Sequence, residues 1–272
     1  MCLVLLATAP GMAQAQTQAQ SQTQDRPFLF SVSTPQTDVR HATVHVEAGF
    51  GERAFDLVEG DRPEQRIGLQ ATLGGGLTLL ARVGVAADGS DTRSSQQAEL
   101  LYSVVRGRAS HGSTRGGPTN EGSLALGLGV RHESEGINVL LGRVAAGRRV
   151  ADAWRLDGNV VFEKPFSTGR DAVDLLTSFG VARRLVSAVH VGVELIGEDL
   201  EGFWEEEEAE GGARLLVGPS LRIAPTTKSW QLSVAGGPIV HATRSGLTSD
   251  ATRSLGGTSN GFAVRAALSY VF

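Results

Sequence analysis

Thiols, lysines, aromatics and long apolar runs are all scarce in this chain of 272 residues. The one cysteine, Cys2, has no partner for an intrachain disulfide, so no particular redox compartment is required. Only Lys164 and Lys228 are lysines among 25 basic residues, and the formal net charge is −4. No strongly basic surface asks for nucleic acid, which is not expected as a partner. Gly-rich phosphate loops, G-x-S-x-G elbows and Cys or His metal-ligand spacings are missing, and no cofactor is expected. Gly74-Gly75-Gly76 reads as a turn. Beyond the N-terminus no run of about 18 apolar residues occurs, which excludes helical membrane spans.

Residues 1–15, MCLVLLATAPGMAQA, read as a secretory signal peptide. Leu3 to Ala9 supply a short apolar core, and Ala13-Gln14-Ala15 supply a small-x-small cleavage site. Cys2 precedes that core, whereas a lipoprotein's acylated cysteine follows it. Residues 16–38 are expected to form a disordered Gln-rich leader, since Gln16 to Asp25 offer almost nothing to bury. The remainder, 39–272, carries the fold.

What the chain has instead is alternation. At its end, Phe262, Val264, Ala266, Leu268, Tyr270 and Phe272 share one strand face, while Ala263, Arg265, Ala267, Ser269 and Val271 share the other. In 186–197, Val189, Val191, Val193 and Leu195 oppose His190, Gly192 and Glu194. In 212–224, Leu215, Val217, Leu221 and Ile223 oppose Arg214, Gly218, Ser220 and Arg222. The same period predicts strands at 41–50, 65–73, 76–87, 95–105, 123–133, 137–147, 152–163, 173–184, 186–197, 212–224, 229–241 and 261–272. Most are about 10–12 residues long, against about 5–6 in soluble sheets, and a tilted strand needs about 9–11 to cross a bilayer.

The fold class expected is therefore all-β: a closed up-and-down antiparallel transmembrane barrel of about twelve strands. Closure leaves no edge and satisfies every backbone group inside lipid. The face opposite the apolar one carries Glu47, Arg66, Arg82, Glu99, Arg131, Glu133, Arg155, Asp157, Glu163, Asp174, Glu194, Arg214, Arg222 and Arg265, with His190 beside Glu194. These are expected to line the lumen. Trp154, Phe166, Phe203, Trp204, Trp230 and Phe262 fall near strand ends, where a sparse interfacial girdle belongs. Long connections at 51–64, 198–211 and 242–260 fit the outer face. The long connection 106–122 should face the periplasm, so it is either an insertion there or a sign that the count is off by a pair of strands.

The last strand resembles the terminal strand of bacterial outer-membrane β-barrels, which ends in an aromatic with apolar residues at alternate positions before it. Val264, Ala266, Leu268, Tyr270 and Phe272 match that insertion signal. The resemblance implies residence in the bacterial outer membrane, contact with its lipid and lipopolysaccharide, and handling by the barrel-assembly machinery.

The function expected is a narrow, porin-like pore or a structural surface barrel. Balanced charge in the lumen argues against strong ion selectivity. Two other readings compete. His132 and Ser134 share the outward face near the outer leaflet, where a lipid-modifying enzyme could pair hydroxyl and imidazole. A soluble periplasmic β-barrel binding module would reverse the wet and dry faces. Finally, Glu205, Glu206, Glu207 and Glu208 crowd an outer loop and are weak candidates for Ca²⁺ or Mg²⁺ ligation.

Overall fold

A computed structural model describes residues 28–33, 40–51, 63–88, 91–105, 121–134, 136–150, 153–166, 173–200, 213–242 and 261–272. Twelve strands close into one barrel. In chain order they are β1 (His41–Gly51), β2 (Glu64–Gly74), β3 (Leu77–Asp88), β4 (Asp91–Val105), β5 (Glu121–Glu133) and β6 (Asn138–Val150). The circuit continues through β7 (Trp154–Pro165), β8 (Asp174–Val186), β9 (Val189–Glu198), β10 (Ala213–Ile223), β11 (Trp230–Ala242) and β12 (Gly261–Val271). Each strand pairs antiparallel with its sequence neighbours, and β12 returns to β1 with Val46 opposite Leu268.

Each expected strand is present, with ends displaced by a few residues. The largest displacement is β4, which begins at Asp91 rather than at residue 95. Gly75 and Gly76, at φ of 63° and 85°, make the tight turn between β2 and β3, a conformation that side-chain-bearing residues resist. An even strand number puts both barrel termini at one end. The turns 75–76 and 187–188 lie at that terminal end, and so does the long connection between Val105 and Glu121. The strand count is therefore intact, and the long connection leaves and rejoins the barrel at its terminal end.

Which side is dry is decided by exposure. Leu128, Ile67, Val130 and Leu268 point outward with 70%, 60%, 59% and 54% of their surface accessible. Asp157, Glu194 and Arg222 point inward and are about 1% exposed. A water-soluble barrel would show the opposite arrangement. Trp154, Phe166, Trp230 and Phe262 are exposed on the outer wall close to strand ends, whereas Phe203 and Trp204 lie outside the described residues. So do the signal peptide and most of the leader.

Candidate functional site

The site is the lumen. Every strand turns alternate residues toward it, and most of its charges meet there in pairs. Arg143 on β6 donates from Nε and Nη2 to the two carboxylate oxygens of Glu99 on β4, both at 2.8 Å. Its Nη1 also reaches Asn159 at 3.2 Å. Arg131 grips Glu163 through two bonds of 2.7 Å and Glu133 through Nε at 3.0 Å. Arg66 binds Glu64 through Nη2 at 2.7 Å and lies 3.8 Å from Glu47. Arg155 donates to Asp157 at 3.0 Å, and Arg214 pairs with Glu198. Such bidentate pairs match the fork of guanidinium to the two carboxylate oxygens.

Arg222 differs in being held by neutral groups. Its Nε and Nη2 donate to Gln231 Oε1 at 3.3 and 3.2 Å. Its Nη1 lies 3.3 Å from His190 Nδ1. Guanidinium only donates, so Nδ1 must accept and the His190 proton sits on Nε2. Asp174 and Arg265 are also buried on the lumen side, and Arg82 is half-buried. The charges expected in the lumen thus all lie on the inward face. Glu64, Arg143 and Glu198 join them, beyond those expected from the alternation.

The lumen is not empty. Residues 28–33 lie in the stretch expected to be a disordered leader, but their apolar side chains find buried partners and they form a strap across the lumen. Glu194 Oε2 accepts two consecutive main-chain bonds, from the N–H of Leu29 at 2.9 Å and of Phe30 at 2.8 Å. Asn159 Nδ2 donates to the Val32 carbonyl at 3.2 Å. Ser31 and Ser178 share a hydroxyl bond of 3.1 Å, and Ser33 bonds Asp157.

Apolar patches on the wall receive the strap's side chains. Phe30 packs on Ile196, Leu216, Ile239 and Ala263. Leu29 packs with Ala235 and Ala267, and Val32 with Leu80 and Leu101. The ring of Phe28 fills the space a Cβ on Gly180 would need, only 2.3 Å away. The Arg265 guanidinium stands 5.1 Å from the Phe30 ring centroid, a cation–π distance. Full burial of Phe28, Leu29 and Val32 contributes about 1.5–3 kcal/mol each.

The other candidate residues lie apart from the lumen. His132 is exposed on the outer wall, and its Nδ1 is 2.9 Å from Asn138 Oδ1. Ser134 sits in the β5–β6 turn, donating its N–H to the Ser94 carbonyl. His132 and Asn138 line one end of an outer-wall groove of about 570 Å³, with Ile67, Val83, Ala98 and Val130 also lining it. Along the terminal strand, Leu268, Tyr270 and Phe272 face out, Val264 and Ala266 are half-buried, and the Tyr270 and Phe272 rings meet edge-on at 5.0 Å. Glu205, Glu206, Glu207 and Glu208 lie outside the described residues.

No protein-family model matches this chain, and no curated protein sequence does. Solved structures do. The chain is similar to the NanC porin at 9% identity and a TM-score of 0.56, covering 84% of this chain and 98% of that one. It is similar to the KdgM porin, in complex with disordered oligogalacturonate, at 10% identity and a TM-score of 0.55, covering 85% of this chain and 99% of that one. The fold of the chain is thus that of these two proteins, a closed antiparallel β-barrel.

Proposed function

We propose that this chain is a narrow channel of the bacterial outer membrane, admitting small hydrophilic solutes without strong preference for either charge sign. The observation that carries this reading is the inside-out wall: apolar side chains outward, and acids and arginines buried on the inward face. Twelve strands enclose more room than eight, whose interior side chains just fill. Pairing between neighbouring charges on the inner wall cancels most of the lumen's field, so ions of either sign meet a similar barrier. Similarity in fold to two porins supports the same reading.

A second reading is favoured by the strap and the paired charges: a structural barrel whose interior is filled. In either case the terminal strand, ending in Tyr270 and Phe272, is the segment offered to the assembly machinery. The outer wall, including the groove beside His132, is the surface offered to membrane lipid and lipopolysaccharide. His132 pairs with Asn138, which gives the lipid-modifying reading no support.

Single-channel conductance in planar bilayers is the test, with folding verified by heat-modifiable gel mobility. Discrete, reproducible conductance steps support the channel. A folded barrel that stays silent both with and without residues 28–33 overturns it and leaves the structural reading.

A further inference from the structure

We propose that the lumen contains a peptide-binding site, which residues 28–33 fill from within the same chain, and that its occupancy closes the conduit. The closing step rests on the channel reading; the binding site does not.

The ligand class follows from what the wall offers. Glu194, buried at mid-lumen, takes two consecutive N–H groups on one carboxylate oxygen. Adjacent amide hydrogens of that kind belong to polypeptide main chain; a saccharide presents hydroxyls instead. Asn159 completes the recognition from the opposite direction by donating to the Val32 carbonyl. Neither contact depends on the strap's side chains. Selectivity comes from the slot over Gly180 that holds the Phe28 ring, and from the inward apolar patches.

Those patches interrupt an otherwise polar lumen face, and three of them coincide with a strap side chain. A water-filled channel has no use for Leu80 and Leu101 on its inner face, nor for Ile196 and Leu216. A bound apolar peptide does. The preferred ligand is thus a short extended segment with apolar residues followed by serine, such as the strap itself.

Only residues 34–40 separate the strap from β1. A tether that short gives an effective concentration on the order of millimolar. The strap therefore returns readily after each departure, so the chain without a crosslink opens intermittently, and a free peptide competes only at comparable concentrations.

The test is a staple. Ser31 and Ser178 hydroxyl oxygens lie 3.1 Å apart, so Ser31→Cys with Ser178→Cys brings two thiols within bonding reach. The Ser31→Cys single variant controls for bonding to Cys2. The expected results are a crosslink on mild oxidation, an oxidised barrel that is silent, and intermittent conductance that appears on reduction. A chain lacking residues 28–33 conducts steadily, and the peptide Phe-Leu-Phe-Ser-Val-Ser at millimolar concentration blocks it.

Failure of the double variant to crosslink overturns the proposal, as does equal conductance in the oxidised and reduced states. Either result leaves the channel reading standing. Silence of a folded barrel in every state, including the strap-free one, overturns the channel reading and the closing step together.

Discussion

Glu99 on β4 and Arg143 on β6 meet across β5, the strand that separates them, through two hydrogen bonds of 2.8 Å. The crossing is possible because β5 turns glycines inward there. Gly129 stands opposite Glu99 and Gly127 opposite Arg143. A Cβ on Gly129 would come within 2.5 Å of both the Glu99 Cγ and the Ala98 carbonyl oxygen. Two absent side chains thus leave the space in which one buried ion pair forms.

Breaking that pair from one side leaves the other charge buried alone. Glu99→Leu is expected to cost about 3–5 kcal/mol of folding stability. Glu99→Leu combined with Arg143→Met is expected to recover most of it, because neither charge then remains. Urea unfolding from lipid vesicles, followed by gel mobility, reads both values.

The glycines of the wall separate two kinds of close contact. Gly129→Ala forces a Cβ against the backbone of β4, which cannot move without shifting the ladder, so a loss of about 1–3 kcal/mol is expected. Gly180→Ala meets the Phe28 ring at 2.3 Å, and the strap can leave. That variant is expected to lose only what strap docking adds, so that it matches a chain lacking residues 28–33 in stability, while conducting more. In a chain lacking residues 28–33, a Gly180→Ala substitution that destabilises the barrel as much as Gly129→Ala would contradict the distinction.

On the outer wall, Leu128 lies near the middle of β5 with 70% of its surface exposed. Leu128→Arg is expected to cost about 2–4 kcal/mol, the range for a basic residue at the bilayer midplane of a barrel. The check is the urea midpoint in vesicles, or the fraction inserted after refolding. A neutral result would mean that this face does not touch hydrocarbon.

Arg222 is the lumen cation held by Gln231 and His190 rather than by a carboxylate. Arg222→Gln removes its charge while keeping polar reach. In a strap-free channel the reversal potential in a salt gradient is expected to move toward cations. No movement would show that ions do not pass this residue.

The sequence showed more of the wall than of what the wall contains. Period-two alternation located β9, β10 and β12 within a few residues, because each puts apolar groups on one face and polar groups on the other. β4 was cut short at its start. Thr92 and Arg93 lie at the strand's outer end, where water can wet both faces and alternation is not demanded. Arg143 was missed for a different reason. β6 has Val139, Leu141 and Ala145 inside and Leu140, Val144 and Ala146 outside, so parity alone could not tell its faces apart.

The strap had two signals, and neither stands out until the lumen is seen. Phe28-Leu29-Phe30 is an apolar cluster just beyond a glutamine-rich tract. Leu80, Leu101, Ile196, Leu216 and Ile239 sit at inward positions that polar residues would otherwise fill. Each looks like noise in its own strand. Together they mark where an apolar segment packs against the inside of the wall.

Spin labels test the orientation of the wall most directly. Cysteines at Leu128 and Leu268 on one face, and at Ser220 and Ser233 on the other, would carry them in vesicles, with the unsubstituted chain as blank. Labels at Leu128 and Leu268 should collide with oxygen, which concentrates in hydrocarbon, and hardly with a water-soluble nickel complex. Labels at Ser220 and Ser233 should be shielded from the acyl chains. Oxygen reaching the serine positions more readily than the leucine positions would contradict the inside-out barrel.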